Sequence, residues 1–148
     1  MEHKVANKRN VVLVGGCFDL LHYGHISFLK QAKKLGCYLI VLLESDENVK
    51  HLKGEGRPFH TQEQRKETLL TLSCVDEVKI LPAEMKNEDY NTIISDINPS
   101  IIAMTEGDPK TELKYKQAEQ IGAQAVIIPK INTPSTSQLA KLLGLEQV

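Results

Sequence analysis

Two histidines, His22 and His25, stand three residues apart in "GGCFDLLHYGH" (15–25), straight after the apolar run "VVLV" (11–14). On the first turn of a helix, that spacing projects both rings to one side. Two ring N–H groups aimed at one spot would stabilise charge developing on a phosphoryl oxygen. An ordinary imidazole pKa near ~6.5 also suits a proton donor at neutral pH. Gly24 between them leaves room for a phosphate to approach the backbone. Neither G-x-G-x-x-G nor G-K-[ST] occurs, so a phosphate site here would not use the common glycine-rich loops. Two plainer readings stay open: histidines that only start a helix, and a zinc site. Zinc would use Cys17, His22 and His25, but no fourth ligand has suitable spacing, and His51 and His60 lie far along the chain. Late in the sequence, Ser135, Thr136 and Ser137 open a final helix, where hydroxyls and free N–H groups suit a phosphate. The same three residues also describe an ordinary N-cap.

The elements that must position these groups alternate between short apolar runs and amphipathic stretches. Strands are expected at 11–16, 38–45, 75–81, 100–104 and 123–129. Helices are expected at 26–36, 61–72, 87–97, 111–122 and 135–144. In the first helix Phe28, Leu29, Ala32 and Leu35 recur at helical spacing, and Gly36 suits its C-terminal cap. Thr61 followed by Gln64 forms a capping box. Nearly continuous apolar strands alternating with helices imply an α/β fold: a Rossmann-like, doubly wound, parallel five-stranded sheet with helices on both faces. Ligands of such sheets bind outside the carboxyl ends of the strands. One long irregular stretch, "SDENVKHLKGEGRPFH" (45–60), follows strand two and is rich in Gly, Lys and Arg.

A chain of 148 residues suits a single domain over 1–148. Apolar residues make up 41% and charged residues 25%, the balance of a water-soluble globular protein. A net charge of -1 offers no basic field for nucleic acid. No run approaches the ~20 apolar residues of a membrane span, and "MEHKVANKRN" lacks a signal-peptide core. Three widely spaced cysteines (Cys17, Cys37, Cys74) form no disulfide framework. Reduced thiols and a cytoplasmic location are expected.

The motif G-x-F-D-x-x-H-x-G-H resembles the signature of the cytidylyltransferase-like nucleotidyltransferases. The resemblance continues in order through "LKQAKKLG", Ser45–Asp46, "LKGEGRP" (52–58), "QEQR" (62–65), "CVDEV" (74–78) and "TPSTSQL" (133–139). It implies transfer of a nucleoside monophosphate from a nucleoside triphosphate to a phosphorylated sugar or alcohol, with release of pyrophosphate and with Mg²⁺ accompanying the nucleotide. It also implies a homodimer. His22 and His25 would hold the triphosphate and stabilise the α-phosphoryl transition state. Lys53, on a glycine-flanked loop, would contact phosphates. Gly16, Cys17, Phe18 and Gly24 would line the nucleotide pocket, and Ser135–Ser137 would form its phosphate-binding turn. Gly107–Asp108 resembles the Gly-Asp that meets base or ribose. Asp19 would orient a histidine, help place Mg²⁺ or cap the turn. Arg57 and Arg65 are further candidates, although Arg65 also suits a helix-surface pair with Glu63 or Glu67.

Lys130–Ile131 stands where many cytidylyltransferases have Arg-Thr, and "MTEGD" (104–108) replaces a tighter Gly-Asp turn. Both departures bear on the choice between ATP and CTP. Within the family the motifs look most like the adenylyltransferase domains acting on heptose 1-phosphate. Glycerol-3-phosphate cytidylyltransferases are the near rival, and a non-catalytic nucleotide-binding protein on the same fold is a third alternative.

Overall fold

The five apolar runs are the five strands, β1 (Val11–Gly16), β2 (Tyr38–Leu43), β3 (Glu77–Ile80), β4 (Ile101–Thr105) and β5 (Gln124–Ile128). The computed structural model describes residues 10–144; the polar residues 1–9 lie outside it. Every strand pairing is parallel, in the order β3-β2-β1-β4-β5. This is the expected doubly wound sheet. Its helices are α1 (Tyr23–Lys34), α2 (Asp46–Lys53), α3 (Gln62–Leu70), α4 (Asn87–Ile97), α5 (Thr111–Gln120) and α6 (Thr136–Leu142).

Strand side chains alternate between the two faces, and both faces are covered. Val12, Val14, Leu39, Val41 and Leu43 pack with Leu29 and Ala32 of α1 and Leu69 of α3. Leu13, Ile40 and Leu42 point the other way, onto Ile94 of α4 and Ala118 of α5. Each buried Leu, Ile or Val contributes about 1.5–3 kcal/mol relative to exposure. Two-sided burial explains why these runs are apolar at successive positions. The chain order reverses at β1, which lies between β2 and β4, so the crevice at its carboxyl end is the natural ligand site.

Two elements differ from expectation. Helix α1 begins at Tyr23, with His22 as N-cap, so the H-x-G-H segment is itself the helix start. The 45–60 stretch is also not irregular throughout. The Ser45 hydroxyl accepts the Asn48 N–H at 3.1 Å, and α2 follows. Asp46 and Glu47 lie in its first turn and Lys50, His51 and Lys53 in its last, matching the helix dipole at both ends. Gly54 then leaves helical geometry at φ 101°. Lys53 is therefore the last residue of a helix rather than part of a free loop.

Gly36 follows the α1 C-cap, but not because it needs a left-handed backbone. A Cβ there would stand 2.3 Å from the Asn10 carbonyl oxygen. Cys37 and Tyr38 both donate to that same carbonyl, so the contact joins the end of α1 to the start of the sheet. Gly36→Ala is expected to lower stability by about 1–3 kcal/mol through this overpacking. Equilibrium urea denaturation measures the loss.

Candidate active site

Between β1 and α1 the chain makes a strained turn, with Phe18 at φ 48° and Leu20 at φ 61°. Each such non-glycine residue costs on the order of 1–3 kcal/mol unless its surroundings enforce it. Asp19 supplies much of that enforcement. Its carboxylate is buried and accepts Arg57 Nε at 2.9 Å, the Phe59 N–H at 2.7 Å and the His60 N–H at 3.1 Å. Arg57 also lies 4.6 Å from the centre of the Phe59 ring. The Thr136 hydroxyl, from the start of α6, donates to the Leu20 carbonyl at 2.6 Å.

Arg65 completes the clamp. Despite its helical position it is only 2% exposed. It donates to the Cys17 carbonyl at 2.8 Å, the His60 carbonyl at 3.1 Å and Asp46 at 2.7 Å. This corrects the expected surface pair with Glu63 or Glu67: three acceptors, the Cys17 and His60 carbonyls and the Asp46 carboxylate, converge on α3, and a buried guanidinium fork satisfies them. Asp19 likewise orients neither His22 nor His25. Its hydrogen bonds go to Arg57 and the 59–60 backbone.

The histidines start α1 by a reciprocal exchange. His22 Nδ1 accepts the Gly24 N–H at 2.9 Å, and His25 Nδ1 accepts the His22 N–H at 3.2 Å. A ring nitrogen that accepts an N–H bears no proton, so both neutral rings carry theirs on Nε2. The rings lie 4.0 Å apart, and His25 rests against Phe18 at 5.4 Å. Burial lowers the His22 pKa. Burial, then His22 and the Lys53 charge, lower that of His25 to about 4. Both shifts favour neutral rings at neutral pH, a state suited to donating hydrogen bonds rather than protons. Gly24 is needed by His22 itself, because a Cβ there would meet the His22 ring at 2.6 Å. Gly16 likewise makes way for the Phe18 ring, which a Cβ would meet at 2.8 Å.

Both histidines line a cavity of about 580 Å³ at the carboxyl ends of the strands. Gly16, Cys17, Phe18, Asp19, Gly24, Lys53, Arg57, Gly107, Asp108, Lys130, Ser135 and Thr136 share its wall. Ser137 and Arg65 do not. Burial pushes the Cys17 thiol up, against the pull of Lys53. Ser135 caps α6 by accepting the Gln138 N–H at 3.1 Å. Burial raises the Asp108 carboxyl, but hydrogen bonds from Lys114 (2.6 Å) and the Lys110 N–H (2.7 Å) outweigh it and hold it below the usual range. Glu106, which takes the Lys130 N–H at 3.0 Å, lines this cavity too and was not singled out by motif. A second cavity of about 230 Å³ lies beside the first and shares Gly15, Gly16, Cys17 and Asp108 with it. Glu44 and Tyr90 line it. Their one signal in sequence is an acidic residue at the carboxyl end of an apolar strand.

The sequence matches the family model described as "Cytidylyltransferase-like" over residues 13–138. The chain belongs to that family. It is 40% identical over 123 residues to a protein named "Bifunctional protein HldE" from Shewanella sp. (strain ANA-3), covering 83% of this chain and 25% of that protein. The protein of the same name from Desulfatibacillum aliphaticivorans is 33% identical over 134 residues, covering 88% and 26%. The chain thus spans about a quarter of these curated relatives. Among solved structures, a lipopolysaccharide core biosynthesis protein from Thermoplasma volcanium GSS1 superposes with a TM-score of 0.68 at 27% identity, covering 83% of this chain and 98% of that one.

Two outcomes follow from this geometry. Asp19→Ala removes the buried ion pair with Arg57, whose side chain is 1% exposed, and the acceptor of two backbone N–H groups; it is expected to cost about 3–5 kcal/mol, read from chemical denaturation. Long-range ¹H–¹⁵N spectra at pH 7 are expected to show both rings as Nε2–H tautomers, with His25 charging only near pH 4. The His25 pKa is lower folded than unfolded, so the unfolded chain binds more protons between the two values. Its contribution to stability is present above pH ~6.5 and is lost as pH falls toward 4.

Proposed function

We propose that this chain transfers a nucleoside monophosphate from a nucleoside triphosphate to a phosphorylated sugar or alcohol, releasing pyrophosphate. The favoured form is an adenylyltransferase for a heptose 1-phosphate-like sugar phosphate. The observation that carries the reading is the reciprocal bonding of His22 and His25. It commits both Nδ1 atoms to the backbone and leaves each ring its Nε2–H, on two residues that line the cavity at the end of β1.

The acceptor's phosphate oxygen is already anionic near neutral pH, so no general base is required. It attacks the α-phosphorus in line, a new P–O bond forms, the bond to the bridging β-oxygen breaks, and that oxygen leaves with pyrophosphate. Neutral Nε2–H donors suit this step because they stabilise the growing charge without exchanging a proton. Lys53, at the end of α2, supplies a mobile cation to the phosphates. Among the described residues no group of three or more His, Cys, Asp or Glu side chains is arranged to hold a metal ion. As the resemblance implies, Mg²⁺ enters the proposal as part of the nucleotide substrate, neutralising charge on its phosphates. The homodimer implied by resemblance belongs to the same proposal. No helix among the described residues is long and apolar enough to cross a membrane.

His22→Ala and His25→Ala are each expected to lower turnover by about 10²-fold while near-native folding is retained. Pyrophosphate release, measured with ATP and CTP against heptose 1-phosphate and glycerol 3-phosphate, reads both activity and nucleotide. Wild-type rates in either folded variant contradict the reading. Preference for CTP with glycerol 3-phosphate redirects it to a cytidylyltransferase.

A further inference from the structure

The mechanism above makes no use of Glu44, yet this side chain lines the smaller cavity and takes hydrogen bonds from two other side chains. Its main-chain N–H donates to the Gly16 carbonyl at 3.1 Å, which places it beside the wall common to both cavities. Tyr90 Oη donates to the carboxylate at 2.9 Å and 3.2 Å from its two oxygens, and Asn48 Nδ2 donates to Oε1 at 2.6 Å. A carboxylate has about four lone-pair sites. Oε1 is thus filled, while Oε2 shares only the longer Tyr90 contact and retains capacity for a further donor.

We propose that Glu44 selects the acceptor by taking hydrogen bonds from its hydroxyl groups, with the acceptor's carbon frame in the smaller cavity. This rests on the transfer reading above. The floor of the cavity is apolar, built by Leu13, Leu42, Leu81, Ile94 and Ile102. Its rim carries Glu44 and Asp108 against Lys110 and Lys114, so the charges balance. An apolar floor with a polar, charge-balanced rim suits a neutral frame that has C–H faces and hydroxyl edges, which describes a sugar or short polyol. It does not suit a quaternary ammonium, which would leave the rim lysines opposed. At about 230 Å³ the space falls below the ~300 Å³ at which pockets for drug-sized ligands begin. One ring or a short chain fits; a flavin or a long amide arm does not. The shared wall at Gly16 and Cys17 then lets the acceptor's phosphate reach the histidine cavity.

The experiment compares wild type, Glu44→Gln and Tyr90→Phe in steady-state pyrophosphate release. The acceptors are heptose 1-phosphate, a deoxy analogue of it, glycerol 3-phosphate and phosphocholine. Wild type is expected to use a hydroxyl-bearing acceptor. Glu44→Gln should raise that acceptor's KM by about tenfold or more and leave the nucleotide KM within twofold. Tyr90→Phe, which only loosens the carboxylate, should raise the acceptor KM about threefold with kcat kept. Removing the hydroxyl that Glu44 reads should weaken wild type by the same factor and the Gln variant no further. Should Glu44→Gln not fold, the Tyr90→Phe shift decides. Preference for phosphocholine, or an unchanged acceptor KM in a folded variant, overturns the proposal and leaves the transfer reading standing. No pyrophosphate from any pairing overturns both.

Discussion

A single buried carboxylate sets the conditions for the rest of this molecule. Asp19 lies inside a turn whose neighbours on both sides, Phe18 and Leu20, hold left-handed backbone angles. Left to itself the turn would relax, since the strain is of the same order as the strength of several neutral hydrogen bonds. The charge-assisted bonds from Arg57, reinforced by two backbone donors, make relaxation the costlier alternative. Because the carboxylate and the guanidinium are both almost wholly buried, neither has water to fall back on if the other is lost. Through this anchor the 57–60 segment, which is far along the chain, is bonded to the turn from which α1 leaves the sheet.

Arg65 carries the same logic to the opposite side of the cavity. Its fork joins the Cys17 carbonyl to Asp46, the first residue of α2. The turn that presents the histidines and the helix that ends in Lys53 are therefore referenced to one side chain. Thr136 adds α6 by bonding Leu20. Three separate parts of the sequence are thus tied to four residues after β1. Precise placement of donors around a reacting phosphorus is the kind of preorganisation that catalysis by position demands.

The strands and their parallel, doubly wound arrangement were legible because two-sided burial leaves an unmistakable trace in the chain. Val12, Leu13 and Val14 face alternate cores, and so do Leu39, Ile40 and Val41. Helix α2 escaped because Val49 is its one buried residue; a short polar helix has no apolar stripe to read. The histidine pair was visible by type and spacing, but the ring nitrogen left free for a ligand was not, since that depends on cap geometry. Arg65 looked like a surface residue because every group that buries it comes from elsewhere in the chain. Glu44 was hidden for the same reason: its partner Tyr90 lies 46 positions away.

The cap made by His22 has a consequence for how this site drifts over evolutionary time. What α1 requires at position 22 is an acceptor for the Gly24 N–H, and Ser, Thr, Asp or Asn supplies one at least as well as an imidazole. Folding therefore exerts almost no selection for histidine there. A lineage could exchange it, keep a fully stable protein, and lose one of the two Nε2–H groups in a single step. On the proposed transfer reading, an imidazole at His22 is kept by function alone, whereas Asp19, three positions earlier, is guarded by the fold itself.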